Sequence, residues 1–138
     1  MNSLKVKAAA IATSLAAASA VSLMSLQAHA ADSADSQAKT ALWVVMDAKN
    51  GREDEVAKFL IGGKAVVLDE PATSSWFAVR LSKSRFAIFD TFPSEAGRDA
   101  HLSGKVAAAL MAKAPDMLQR PPSIEKIDVL AAKLPNAK

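Results

Sequence analysis

The sequence predicts an α+β domain of β-α-β-β-α-β order with an antiparallel sheet, on three observations. Four short runs rich in β-branched and aromatic residues fall at 41–47, 75–81, 85–92 and 124–133. Two longer stretches, 52–68 and 93–117, carry apolar residues at helical spacing and alternate with those runs. Only Ser82-Lys83-Ser84 separates the second run from the third, which suits a hairpin. Two βαβ units joined by right-handed crossovers then interleave as a ferredoxin-like split unit.

Residues 1–30 stand apart from this domain. Lys5 and Lys7 make a basic start, residues 8–26 carry no charge, and Ala28-His29-Ala30 is the small-x-small pattern read at leader cleavage. We read 1–30 as an export signal peptide, which in a bacterium gives a periplasmic or secreted protein. A retained anchor is the alternative, because the apolar run approaches the length of a membrane span. Residues 31–40 are small and polar and read as a flexible tether. The domain proper covers 41–134.

Within it, 41–47 (ALWVVMD) reads as the first strand, and Lys49-Asn50-Gly51 turns the chain. Residues 52–68 place Val56, Phe59, Leu60, Gly63 and Val67 on one helical stripe behind an acidic first turn. Gly62-Gly63 weakens that helix by about 1 kcal/mol per glycine relative to alanine, and Glu70-Pro71 ends it. Along 75–81, Phe77, Val79 and Leu81 alternate with Trp76, Ala78 and Arg80. The hairpin register stays open, because loops of three and of four residues put Asp90 on opposite faces. Pro93 is expected to open the second helical region, since its fixed φ suits a first turn. Gly104 is expected to interrupt that region, and its second half should turn Val106, Leu110 and either Ala109 or the stem of Lys113 to the sheet. Arg120-Pro121-Pro122 is a rigid turn before the last strand at 124–133.

Charge and composition exclude several function classes. The chain has 17 basic and 14 acidic residues, and removing the two leader lysines leaves 15 against 14. No Lys/Arg cluster suggests nucleic acid. With no cysteine there are no disulfides, thiolate metal sites or thiol nucleophiles. One histidine beyond the leader and scattered acids give no metal-ligand spacing, and no glycine-rich phosphate loop is visible. A domain of about 100 residues with apolar residues on both faces of its strands gains from pairing with a second copy, so a homodimer is expected.

From 42 to 134 the chain resembles the antibiotic-biosynthesis-monooxygenase domain of the dimeric α/β-barrel superfamily. The resemblance is carried by Glu70-Pro71-Ala72-Thr73, by Trp76-Phe77-Ala78-Val79-Arg80, by 86–92, by Ala100-His101-Leu102 and by 127–133. It implies a ferredoxin-like protomer whose sheet packs on a second protomer's. It also implies cofactor-free oxygenation of quinols or polyketide-derived phenols; related members degrade haem. Haem-degrading relatives pair an asparagine on the first strand with a tryptophan and a histidine. Here that strand offers Asp47, which argues against haem.

Cofactor-free oxygenation needs a base, an anion holder and flat apolar walls. His101 is the candidate base, because its ordinary pKa lies near neutrality. Arg80 is the candidate anion holder, and Trp76, Trp43, Phe89 and Asp90 are candidate substrate-binding residues. Each has a structural alternative: His101 as a packing residue or cap, Arg80 as a partner of Asp90, the tryptophans as core or interface aromatics. Two functions follow: a cofactor-free monooxygenase acting on a small quinol or polyphenol, or a non-catalytic protein binding a small apolar ligand. No membrane contact is expected once the leader is cleaved. Protein sequencing of the exported form should then begin at Ala31, whereas an intact Met1 in the membrane fraction would establish the anchor.

Overall fold

A strand with partners on both sides has to satisfy both of its edges, and β1 (Thr40–Asp47) fills that role. On one side it pairs antiparallel with β3 (Arg85–Phe92), from Thr40 opposite Phe92 to Asp47 opposite Arg85. On the other it pairs antiparallel with β4 (Ser123–Asp128). With β2 (Ser75–Arg80) on the far edge of β3, the sheet order is β2-β3-β1-β4. This is the ferredoxin-like arrangement. The structure, a computed structural model, describes residues 37–135; the expected leader and residues 31–36 of the tether lie outside the described residues.

Among the described residues three helices cover one face of the sheet. Helix α1 (Glu53–Val67) begins with Glu53, Asp54 and Glu55, which suit the positive end of the helix dipole. It buries Val56, Leu60, Gly63 and Val67, so the expected stripe is realised and the helix runs unbroken through both glycines. Gly51 takes φ +79° in the turn before it, a conformation that costs glycine little. The core lies between this layer and the inward residues of β1 and β3, among them Leu42, Val44, Met46, Phe86, Ile88 and Phe92.

The second helical region divides where glycine was expected to interrupt it, into α2 (Glu95–Leu102) and α3 (Lys105–Met117). Its start differs from the expectation. Pro93 precedes the helix, and Ser94, in extended backbone, is the N-cap whose Oγ accepts the Gly97 N–H. A side-chain oxygen that satisfies an orphan donor is a stronger start signal than a preset φ. In α3 the residues behind Val106 and Leu110 are Ala114 and Met117; Ala109 and Lys113 are exposed.

The other two differences lie at the sheet's end. The last strand, expected over 124–133, stops at Asp128 because its partner β1 begins at Thr40, opposite that residue. One further bond, Val129 N–H to Lys39 O at 3.1 Å, closes the pair, and Leu130 is 98% exposed. The tether expected over 31–40 joins the fold earlier than that range implies: Ala38 is buried, and Lys39 N–H donates to Phe92 O. Arg98 on α2 is buried, and its Nη1 donates to Ala41 O and Ile127 O, tying the helix to β1 and β4. Among the described residues no helix is long and apolar enough to cross a membrane.

Candidate functional site

The hairpin between β2 and β3 resolves the open register. Arg80 pairs with Phe86, Trp76 pairs with Asp90 and Leu81 N–H donates to Arg85 O, so the connection is the three-residue loop Ser82-Lys83-Ser84. This parity turns Asp90 toward the helices, beside Trp76, and its carboxylate is fully buried. His101, in the last turn of α2, reaches it from above: Nε2 lies 3.0 Å from Asp90 Oδ2. On the other side of the ring, Nδ1 lies 2.6 Å from Glu70 Oε2, in the loop between α1 and β2. Thr73 Oγ1 donates to the same Glu70 oxygen at 3.1 Å and stands 3.4 Å from Nδ1. Phe92 packs on the imidazole with ring centroids 5.3 Å apart.

Two glycines let the Glu70–Thr73 loop approach so closely. A Cβ at Gly104 would lie 3.0 Å from Glu70 Oε1, and one at Gly97 would lie 3.2 Å from the Ala72 carbonyl oxygen. The Ala72 oxygen is backbone and could give way only by shifting the loop.

The electrostatics follow from this clamp. Burial alone would favour a neutral imidazole, but the close carboxylates of Asp90 and Glu70 outweigh it and raise the His101 pKa above its ordinary 6.5. The expectation of a freely available neutral base is corrected here: both ring nitrogens are engaged by acids. Asp90 Oδ1 has no hydrogen-bond partner, its Oδ2 being the oxygen that faces Nε2, and Trp76 Nε1 is also buried without a partner.

These atoms border a cavity of about 30 Å³ between helices and sheet, walled mainly by Leu42, Val44, Leu60, Ile88, Val106 and Leu110. Leu60 and Trp76 also line a groove of about 700 Å³ between α1 and the β2 edge. Glu70 and His101 line a third space, a cleft of about 330 Å³ beside α2.

The candidate residues from sequence do not all meet. His101, Asp90 and Trp76 converge. Arg80 does not: it is exposed at the far end of β2, its guanidinium 4.6 Å from the Phe86 ring and bonded to Lys83 O. Four residues of strand, at about 3.3 Å each, separate it from the Trp76–Asp90 pair, so it neither pairs with Asp90 nor reaches the cavity. Trp43 and Phe89 oppose each other on the sheet face turned away from the helices, so strand parity removes both from the cavity. Asp47 is held by Arg120 and Arg85 at the end of β1. The residue sequence reasoning passed over is Glu70, seen only as a helix terminator; the Glu-Pro-Ala-Thr stretch that carried the resemblance was its one signal. No group of three or more His, Asp or Glu side chains is arranged to hold a metal ion among the described residues.

No family model matches the chain, and no curated protein matches it. Solved structures do. A provisionally named antibiotic biosynthesis monooxygenase from Nitrosomonas europaea is similar at TM-score 0.59 and 12% identity, over 68% of this chain and 93% of that one. A provisionally named monooxygenase from Fusobacterium nucleatum is similar at TM-score 0.58 and 18% identity, over 68% of this chain and 44% of that one. Sheet order, helix layer and these likenesses define an α+β protein with the antibiotic-biosynthesis-monooxygenase fold. A protein of unknown function from Nitrosomonas europaea, NE2512, is 48% identical over 73% of this chain and 98% of its own, at TM-score 0.72. The chain belongs to the family of that protein.

The raised His101 pKa sets a pH dependence of stability. Below about 6.5 the imidazole is charged in both folded and unfolded chains, and the stabilisation by its two acids is complete. As pH rises through the folded-state value that stabilisation is lost. Urea midpoints of the mature protein should therefore fall across that interval, and His101→Gln should flatten the fall.

Proposed function

We propose that the chain is an exported, cofactor-independent monooxygenase acting on a small quinol or polyphenol, with Asp90 as the proton acceptor. The observation that carries this is a fully buried carboxylate whose Oδ1 has no hydrogen bond, bordering an apolar cavity, with its other oxygen against a histidine biased toward its charged form. A buried acceptor left unsatisfied is costly, and its cost falls when a ligand hydroxyl arrives. Asp90 takes the phenolic proton and becomes neutral. The imidazolium, still held by Glu70, stays beside the new phenolate as its counter-charge.

The reaction needs no redox cofactor because the substrate is the reductant. The phenolate gives one electron to dioxygen, and the radical pair joins at a ring carbon. The hydroperoxide then breaks its O–O bond: one oxygen stays on carbon as a carbonyl. The other leaves as water, with the ring hydrogen and the proton returned by Asp90. The ring itself is too large for a cavity of about 30 Å³. The adjoining groove of about 700 Å³, with Trp76 and Leu60 shared between the two spaces, is large enough for it.

Oxygen uptake by the mature protein with a panel of hydroquinones tests this reading. Asp90→Asn should lower turnover per folded molecule on the order of a hundredfold or more, the usual worth of a positioned base, beyond any loss of stability read from its urea midpoint. Binding without uptake would return the second function, a non-catalytic carrier of small aromatic ligands.

We also propose that the protein works as a homodimer paired through the uncovered sheet face. That face presents Trp43, Phe89 and Val79, and Phe77 is 56% exposed. Light scattering should give twice the protomer mass, and Phe77→Asp should shift the protein toward monomer.

A further inference from the structure

We infer that Trp76 Nε1–H and the Asp90 carboxylate together form a subsite for one free hydroxyl group, so that ligands are selected by carrying an unsubstituted phenol. Trp76 and Asp90 are directly opposed on adjacent antiparallel strands, on the same face of the sheet. Residues so placed have Cβ atoms about 5 Å apart, within reach of one shared oxygen. One offers a donor and the other an acceptor, and both are buried; Trp76 Nε1 and Asp90 Oδ1 have no partner, while Oδ2 faces His101 Nε2 at 3.0 Å. A hydroxyl is the smallest group that satisfies both at once, because it accepts from the indole and donates to the carboxylate.

The volume agrees with the chemistry. A cavity of about 30 Å³ admits a single oxygen-sized group, for which roughly 10–15 Å³ is needed, and excludes a ring. An aryl methyl ether keeps the acceptor but lacks the proton, so it would leave Asp90 buried and unsatisfied. A site built to bond a hydroxyl rejects the analogue lacking it strongly, for that reason. Trp76 is therefore a specificity-determining residue as well as an apolar wall.

The inference rests on the oxygenase reading only in naming the hydroxyl as phenolic, and its test does not need turnover. In Trp43→Phe protein, Trp76 supplies the one remaining indole N–H, and its proton resonance is followed by NMR during titration with phenol and with anisole. Phenol should move that resonance downfield and bind at least tenfold more tightly than anisole. Trp76→Phe, which keeps an aromatic ring, and Asp90→Asn, which keeps the shape, should each bring the ratio toward one. Equal binding of phenol and anisole, no shift with phenol, or a ratio unchanged in both variants overturns the subsite. Phenol selectivity without oxygen uptake from hydroquinones upholds the subsite and overturns the oxygenase reading. Uptake without selectivity does the reverse.

Discussion

The imidazole of His101, held between Asp90 and Glu70, is the constraint on which the rest of the arrangement depends. It joins three pieces distant in sequence: the end of β3, the last turn of α2 and the loop after α1. A carboxylate as buried as Asp90 is tolerable only with a charge beside it. The second acid, Glu70, keeps that charge in place. Removing one member of such a buried pair typically costs about 3–5 kcal/mol, because an uncompensated charge is left behind. The local details follow from this. Ser94 sets where α2 begins and hence where its last turn ends, and Gly97 and Gly104 leave room for the loop that carries Glu70.

The sheet divides the protein's work by parity. One face carries the core, the acid–histidine clamp and the cavity; the other carries Trp43, Phe77 and Phe89. A one-residue slip in the β2–β3 hairpin would exchange these sets, moving Asp90 out to the open face. The three-residue connection is therefore as necessary to the site as the acid itself. The likenesses at 12% and 18% identity speak for the fold alone, and the chemistry proposed for this chain stands on Asp90, His101, Glu70 and Trp76.

What the sequence by itself determined was element type, order and the sheet's antiparallel character. Hydrophobic period distinguishes strand from helix locally, and the short Ser82-Lys83-Ser84 link leaves little choice but a hairpin. His101 was legible as a candidate because it is the sole histidine of the domain, and Asp90 because an acid inside an apolar strand is unusual. The helix division at Gly104 was legible too, since glycine there is followed by a fresh apolar stripe.

What only the tertiary structure decided was which residues meet. Arg80 and Trp76 share a face in any strand, yet only pairing with β3 shows that one lies beside Asp90 and the other beside Phe86. Trp43 and Phe89 have the composition of a binding wall, but their face depends on parity relative to strands far along the chain. Glu70 had no local signature of function. An acid before a proline looks like a helix stop until a helix end from thirty-one residues away is packed on it. The last strand ended five residues early for the same reason: strand length is set by the partner's length, which no local pattern records.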